Sequence, residues 1–209
     1  MGNLLKQLIL TARPWVYFLW TPALLYPGLL AFDAGRGVSA VLYGLCFAGI
    51  FSAMLVQHFL HVAFGSSSTK SFDGADDALI GLAVVSAVPL IVITAYFTAL
   101  RGLVIMTLFV IAGACLVGYA KPSIKSEWYW GIGQGTVSVG TYIVIADELT
   151  AGILAGSAGL AGLYYLMLHS TRLAEGDYAN VTGREARGWR TVRYSFFFGV
   201  TLLMAGFVL

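Results

Sequence analysis

The side chains best equipped for chemistry in this chain are few, and they sit at the margins of its apolar runs. His58 and His61 lie three residues apart near the end of one run and so share a helical face, while His169 closes another, just ahead of Arg172, Glu175 and Asp177. Neutral imidazole is a good ligand for zinc, iron or a chlorophyll magnesium, which makes the three histidines, with Asp73 and Asp77, candidates for a metal or pigment site. The alternative for each histidine is a hydrogen bond to a neighbouring helix near the membrane interface. A second cluster, Ser66-Ser67-Ser68-Thr69-Lys70 followed by Asp73, Asp76 and Asp77, joins hydroxyls and a lysine suited to phosphate with carboxylates suited to a hard cation. It reads equally as a solvated loop whose last two aspartates open the next helix and oppose its dipole. Arg184, Arg187, Arg190 and Arg193 recur every three residues and gather positive charge that would hold anionic lipid or a diphosphate, or that answers only to the bias for basic residues on the inner membrane face.

The elements that must position these groups are membrane helices. Of 209 residues, 59% are hydrophobic and 11% charged, against about a quarter charged in soluble domains, and the mean hydropathy is +0.84. A spanning segment must satisfy its own backbone, as a helix or a closed barrel, and the long continuous apolar runs lack the alternation of a barrel. Seven segments approach the roughly 20 residues a span requires: Trp15–Phe32, Val38–Phe64, Ala78–Leu100, Leu103–Tyr119, Trp128–Ala146, Leu149–Met167 and Val192–Leu209. The expected fold is an all-α integral membrane protein of about seven transmembrane helices in a single domain, 1–209, with the first span retained rather than cleaved as a signal peptide.

Placing the basic residues on alternate sides puts Lys6, Arg13, Lys70, Lys121, Lys125, Arg172, Arg184, Arg187, Arg190 and Arg193 on one face and only Arg36 and Arg101 on the other. This asymmetry predicts a cytoplasmic N-terminus, with the loops after the second, fourth and sixth spans on the same inner side, and a bacterial inner membrane or its equivalent as the location. Trp15, Trp20, Trp128, Trp130 and Trp189 fall near span ends, as interfacial anchors do. The run Gly152 to Gly159 offers small-xxx-small faces for close helix packing. Cys46 and Cys115 read as small buried hydrophobes, and a formal charge of +2 with dispersed basic residues argues against nucleic acid as a partner.

With these elements in order, the chain resembles the UbiA superfamily of intramembrane prenyltransferases. Ala12-Arg13-Pro14-Trp15 looks like the family's Arg-Pro start of its first helix, and Tyr119-Ala120-Lys121-Pro122-Ser123-Ile124-Lys125, then Gly131-Ile132-Gly133-Gln134 and Gly140-Thr141-Tyr142, are similar to its pattern from the fourth helix into the fifth. His169-Ser170-Thr171-Arg172-Leu173-Ala174-Glu175-Gly176-Asp177, continuing to Gly183-Arg184, looks like its second aspartate-rich motif. The resemblance implies a cavity in which carboxylates hold Mg2+, metal and basic residues hold an isoprenyl diphosphate, and an allylic cation alkylates an aromatic acceptor. It would give Asp177 and Glu175 the catalytic metal and Lys70, Lys125, Arg172 and Arg184 the diphosphate or an anionic lipid.

The chain departs from that pattern where the chemistry is concentrated. The family's first motif carries two aspartates, whereas the matching stretch here is Gln57-His58-Phe59-Leu60-His61 or Phe64-Gly65-Ser66-Ser67-Ser68; in the second motif Leu173 replaces an aspartate. The family generally has about nine helices, two more than the apolar segments found here. Loss of carboxylates with retention of the bundle implies an accessory or structural subunit of a membrane complex, in contact with membrane lipids and protein partners and binding an isoprenoid, quinone, pigment or lipid. The alternative is a divergent Mg2+-dependent prenyltransferase acting on an isoprenyl diphosphate and an aromatic acceptor of a quinone or chlorophyll pathway.

Overall fold

The computed structural model describes residues 21–65, 76–120 and 127–174, together with positions 196, 199, 200 and 206. Six helices account for nearly all of them: α1 (Thr21–Asp33), α2 (Ala40–Gly65), α3 (Asp76–Arg101), α4 (Leu103–Ala120), α5 (Glu127–Ala146) and α6 (Ala151–Ala174). No strand occurs among the described residues. Four stretches are long and apolar enough to cross a bilayer, Ala40–Phe64, Ala78–Arg101, Leu103–Ala120 and Ala151–His169. They are consistent with an integral membrane protein. Each helix coincides with an apolar segment of the sequence, but α6 runs on past Met167 to Ala174, because Thr171, Leu173 and Ala174 tolerate a helix and no breaker occurs before Gly176.

The helices stop and start where local chemistry directs. α1 ends as Gly35 enters the left-handed region at φ 70°, with the Arg36 amide donating to Ala31 O at 2.9 Å and the Gly35 amide to Phe32 O at 3.0 Å. This paired arrangement satisfies carbonyls a helix end would leave bare. Ser39 and Thr150 cap the next starts, their hydroxyl oxygens accepting from the Leu42 amide at 3.4 Å and the Ile153 amide at 3.2 Å. Gly102, at φ 83°, makes the single-residue turn between α3 and α4.

These turns bring Arg36, Arg101, Asp147 and Glu148 to one end of the bundle. Arg36 meets Glu148 as a two-pronged pair, Nε to Oε1 at 3.2 Å and Nη2 to Oε2 at 2.6 Å, and the Tyr142 hydroxyl donates to the same carboxylate at 3.1 Å. Arg101 reaches Asp147 at 2.7 Å and donates from Nε and Nη2 to Val144 O at 3.1 and 3.0 Å. Val144 belongs to the last turn of α5, so the guanidinium both satisfies an end carbonyl and opposes the negative end of the helix dipole.

α5 is the hub, packing against each of the five other helices. It touches α6 backbone to backbone: a Cβ on Gly131 would stand 2.5 Å from Ala161 O, and one on Gly135 2.9 Å from Ser157 O. Tyr26 of α1 lays its hydroxyl against Gly156 of α6 and donates to Gly152 O at 3.4 Å. Gly199 meets Gly159 and Leu163, and Gly206 meets Gly152 and Gly156, so these two described positions run antiparallel along α6. Small residues thus let α1, α5 and α6 close on one another, as membrane helices do when only packing drives them together.

Two stability measurements check this architecture. Arg101→Leu should cost roughly 1.5–3 kcal/mol, since a guanidinium side chain 14% exposed loses charge-assisted bonds. Arg36→Leu should cost under about 1 kcal/mol, because that pair is 51% and 30% exposed and screened by solvent. Thermal melting in detergent that ranks Arg36→Leu as the more damaging would contradict the reading. Gly131→Val should lower the melting temperature by forcing α5 off the Ala161 carbonyl, an overpacking cost of roughly 1–3 kcal/mol, whereas Gly37→Val, with nothing within 4 Å of its Cβ, should not; equal melting of the two variants would contradict the close contact.

Candidate functional site

On the side of α5 facing away from α6 the packing opens. A cavity of about 360 Å³ lies between α2, α3, α4 and α5, within the size range of small-molecule sites. It exists because small residues face one another across it, among them Gly49, Ala53, Ala87, Ala112, Gly133 and Gly140. Toward the Arg101 end it is lined by the larger side chains of Phe97, Ile105 and Val144. Among the described residues that line it there is no Lys, Arg, His, Asp or Glu. Its polar groups are few. The Thr136 hydroxyl donates to Ile132 O of its own helix at 2.8 Å, and Gln57, Thr94 and Thr141 are buried in the wall.

The far end of the cavity is aromatic. Tyr119 and Trp130 stand 5.1 Å apart, and the Tyr129 ring lies across Gly118, where a Cβ would come within 3.1 Å of three ring atoms. Just beyond, His61 stacks on Tyr119 with centroids 6.4 Å apart. A separate stack joins Trp128 to Tyr165 at 4.2 Å and Tyr165 to His169 at 5.5 Å. Both stacks belong to the end of the bundle opposite the arginine pairs, since the α2, α4 and α6 C-termini and the α5 N-terminus gather there.

The histidines singled out by spacing therefore reach the same end but not a common centre. α5 stands between α2 and α6, and none of the three histidines lines the cavity. His58 Nε2 is enclosed by protein with no hydrogen-bond partner. Among the described residues no three His, Cys, Asp or Glu side chains come together. Asp77 falls in the first turn of α3 and Arg172 in the last turn of α6. Lys70, Asp73, Lys125, Glu175, Asp177 and Arg184 lie outside the described residues, as do the Arg13-Pro14 start and most of the seventh apolar segment. Cys46 and Cys115 are free and buried, as their apolar surroundings imply.

Two features escaped the sequence reading. Gln57 was passed over beside the histidines, although a lone amide inside a 26-residue apolar helix is an intramembrane polar group of the kind that marks function. Gln134 and Ser138, one helical turn apart on α5, and Ser157 of α6 are fully or almost fully buried, and the Gln134 amide and both serine hydroxyls lack hydrogen-bond partners. Unmet groups in so apolar a setting are costly. Compared with protein-family models, curated proteins and solved structures, the chain matches none.

Proposed function

We propose that this is a UbiA-like membrane protein that has given up prenyl transfer and serves as an accessory or structural subunit of a membrane complex, holding an isoprenoid, quinone, pigment or lipid in the cavity between α2 and α5. The single observation that carries the reading is the character of that cavity, which is apolar, bounded by four helices and free of charged side chains among the described residues. An apolar chain gains by entering such a space, whereas a magnesium-bound diphosphate would leave its charge unanswered there. The bundle sits in a bacterial inner membrane or its equivalent, with seven spans and the N-terminus in the cytoplasm. Supporting this topology, Arg36 and Arg101, the two basic residues on the sparsely charged side, are each paired with a carboxylate, Glu148 and Asp147. That end holds two of the twelve basic residues of the chain, and the sparse side of a Lys and Arg bias faces outward.

The second reading, a divergent Mg2+-dependent prenyltransferase, is favoured by the Arg172, Glu175 and Asp177 remnant of the aspartate-rich motif. One preparation separates the two. Protein purified in mild detergent should carry an apolar molecule in near-stoichiometric amount, identified by extraction and mass spectrometry. Gly113→Leu, at a cavity position where an added Cβ meets nothing within 4 Å, should displace it while the protein still folds. The same protein incubated with geranylgeranyl diphosphate, Mg2+ and aromatic acceptors should release no diphosphate. Release that disappears in Asp177→Asn would establish the enzyme instead.

A further inference from the structure

Resting on the cavity reading above, we infer that the cavity takes a neutral ligand with a flat, carbonyl-bearing head group on an apolar chain, and that Gln57 is the residue that reads the head. Gln57 of α2, Tyr119 of α4 and Trp130 of α5 each lie about 16 or 17 residues, hence roughly 25 Å, from the helix ends at the arginine face. They therefore share one depth. In a hydrocarbon layer about 30 Å thick, that depth is close to the opposite interface, where the polar end of an amphiphile resides. From Gln57 back to Cys46 the wall extends roughly 16 Å along α2, and almost every side chain on that path is apolar. One end suits a head and the remainder a tail.

The chemistry of the head follows from what is present. Gln57 is 8% exposed and lines the cavity. No hydrogen bond joins its amide to another described residue, and its nitrogen and oxygen are not among the polar atoms sealed inside the protein, so both donor and acceptor are open to a ligand. An amide set in an apolar wall gains from a matching partner, and a carbonyl oxygen accepting from Nε2 supplies one. Tyr119, Tyr129 and Trp130 border the same end and offer ring faces to a planar group. A charged head has no counter-charge among the lining residues and is excluded by desolvation. A neutral alcohol shares the hydrogen bond but not the stacking, and so ranks below the planar carbonyl.

The test reads binding through Trp130, which lies in the cavity wall. Protein in nanodiscs is titrated with a short-chain prenylated benzoquinone, whose ring quenches tryptophan fluorescence, and the Trp130→Phe variant identifies the signal from the cavity. Displacement is then measured with a prenyl alcohol, a hydrocarbon of equal chain length and the prenyl diphosphate. The expected order is benzoquinone, then alcohol, then hydrocarbon, with no displacement by the diphosphate. Gln57→Leu and Gln57→Met should each weaken benzoquinone binding roughly tenfold, the effect of one neutral hydrogen bond, and leave the hydrocarbon unchanged. Unaltered benzoquinone affinity in both variants would overturn the role of Gln57, and a diphosphate that binds as well as the alcohol would overturn the neutral head. Should the hydrocarbon bind but the head group make no difference, the cavity reading survives and this inference fails. If no compound enters, the hydrocarbon included, both fail. The wild-type ranking decides the ligand class even where a variant does not fold.

Discussion

The backbone contact between α5 and α6 is the constraint on which the rest of the structure turns. Lipid tails are as apolar as leucine, so nothing but close packing and polar contact holds membrane helices together, and Gly131 and Gly135 allow α5 to meet the Ala161 and Ser157 carbonyls of α6 directly. Once α5 is held there, its opposite face is set at a distance from α2, α3 and α4. That face carries Gly133, Thr136, Val137 and Gly140, too small or too short to fill the gap, and a cavity follows. The molecule is thus asymmetric about its central helix, dense on the α1 and α6 side and hollow on the other.

The same asymmetry explains the composition of the helices. α5 is wrapped by all its neighbours and can carry Gln134, Ser138 and Thr141 in a buried position, which is why it is less apolar than the four membrane-length stretches. α3 stands at the periphery and turns Val84, Val85, Val88 and Val92 outward, a surface that suits lipid. The arginine pairs fix the ends of this arrangement. Arg36 ties the turn after α1 to the turn after α5 across 112 residues of sequence, and Arg101 binds the last turn of α5 to the α3 end.

Much of this architecture was legible in the sequence. Apolar length located six described helices. The Gly152 to Gly159 run, read as a packing surface, receives Tyr26 and Gly206. What could not be read was which face of each helix points where. Helices apolar on all sides have no preferred stripe, so the pattern that orients a soluble helix is absent here. The partition of α2 to α5 around a cavity therefore had no sequence signal. The histidines drew attention because imidazole is chemically versatile, yet His61 and His169 ended in stacks with tyrosines on either side of α5. Gln57, adjacent to His58, is the polar group of that stretch that lines the cavity.

The central claim is that an apolar molecule occupies the space between α2 and α5. The most direct measurement is photolabelling in native membranes with a diazirine-bearing isoprenoid, followed by mapping of the adducts. The account predicts labels on Ile50, Leu90, Leu116 and Val137, which line the interior. Adducts confined to outward residues such as Val84, Val85 and Val92, with none inside, would contradict it.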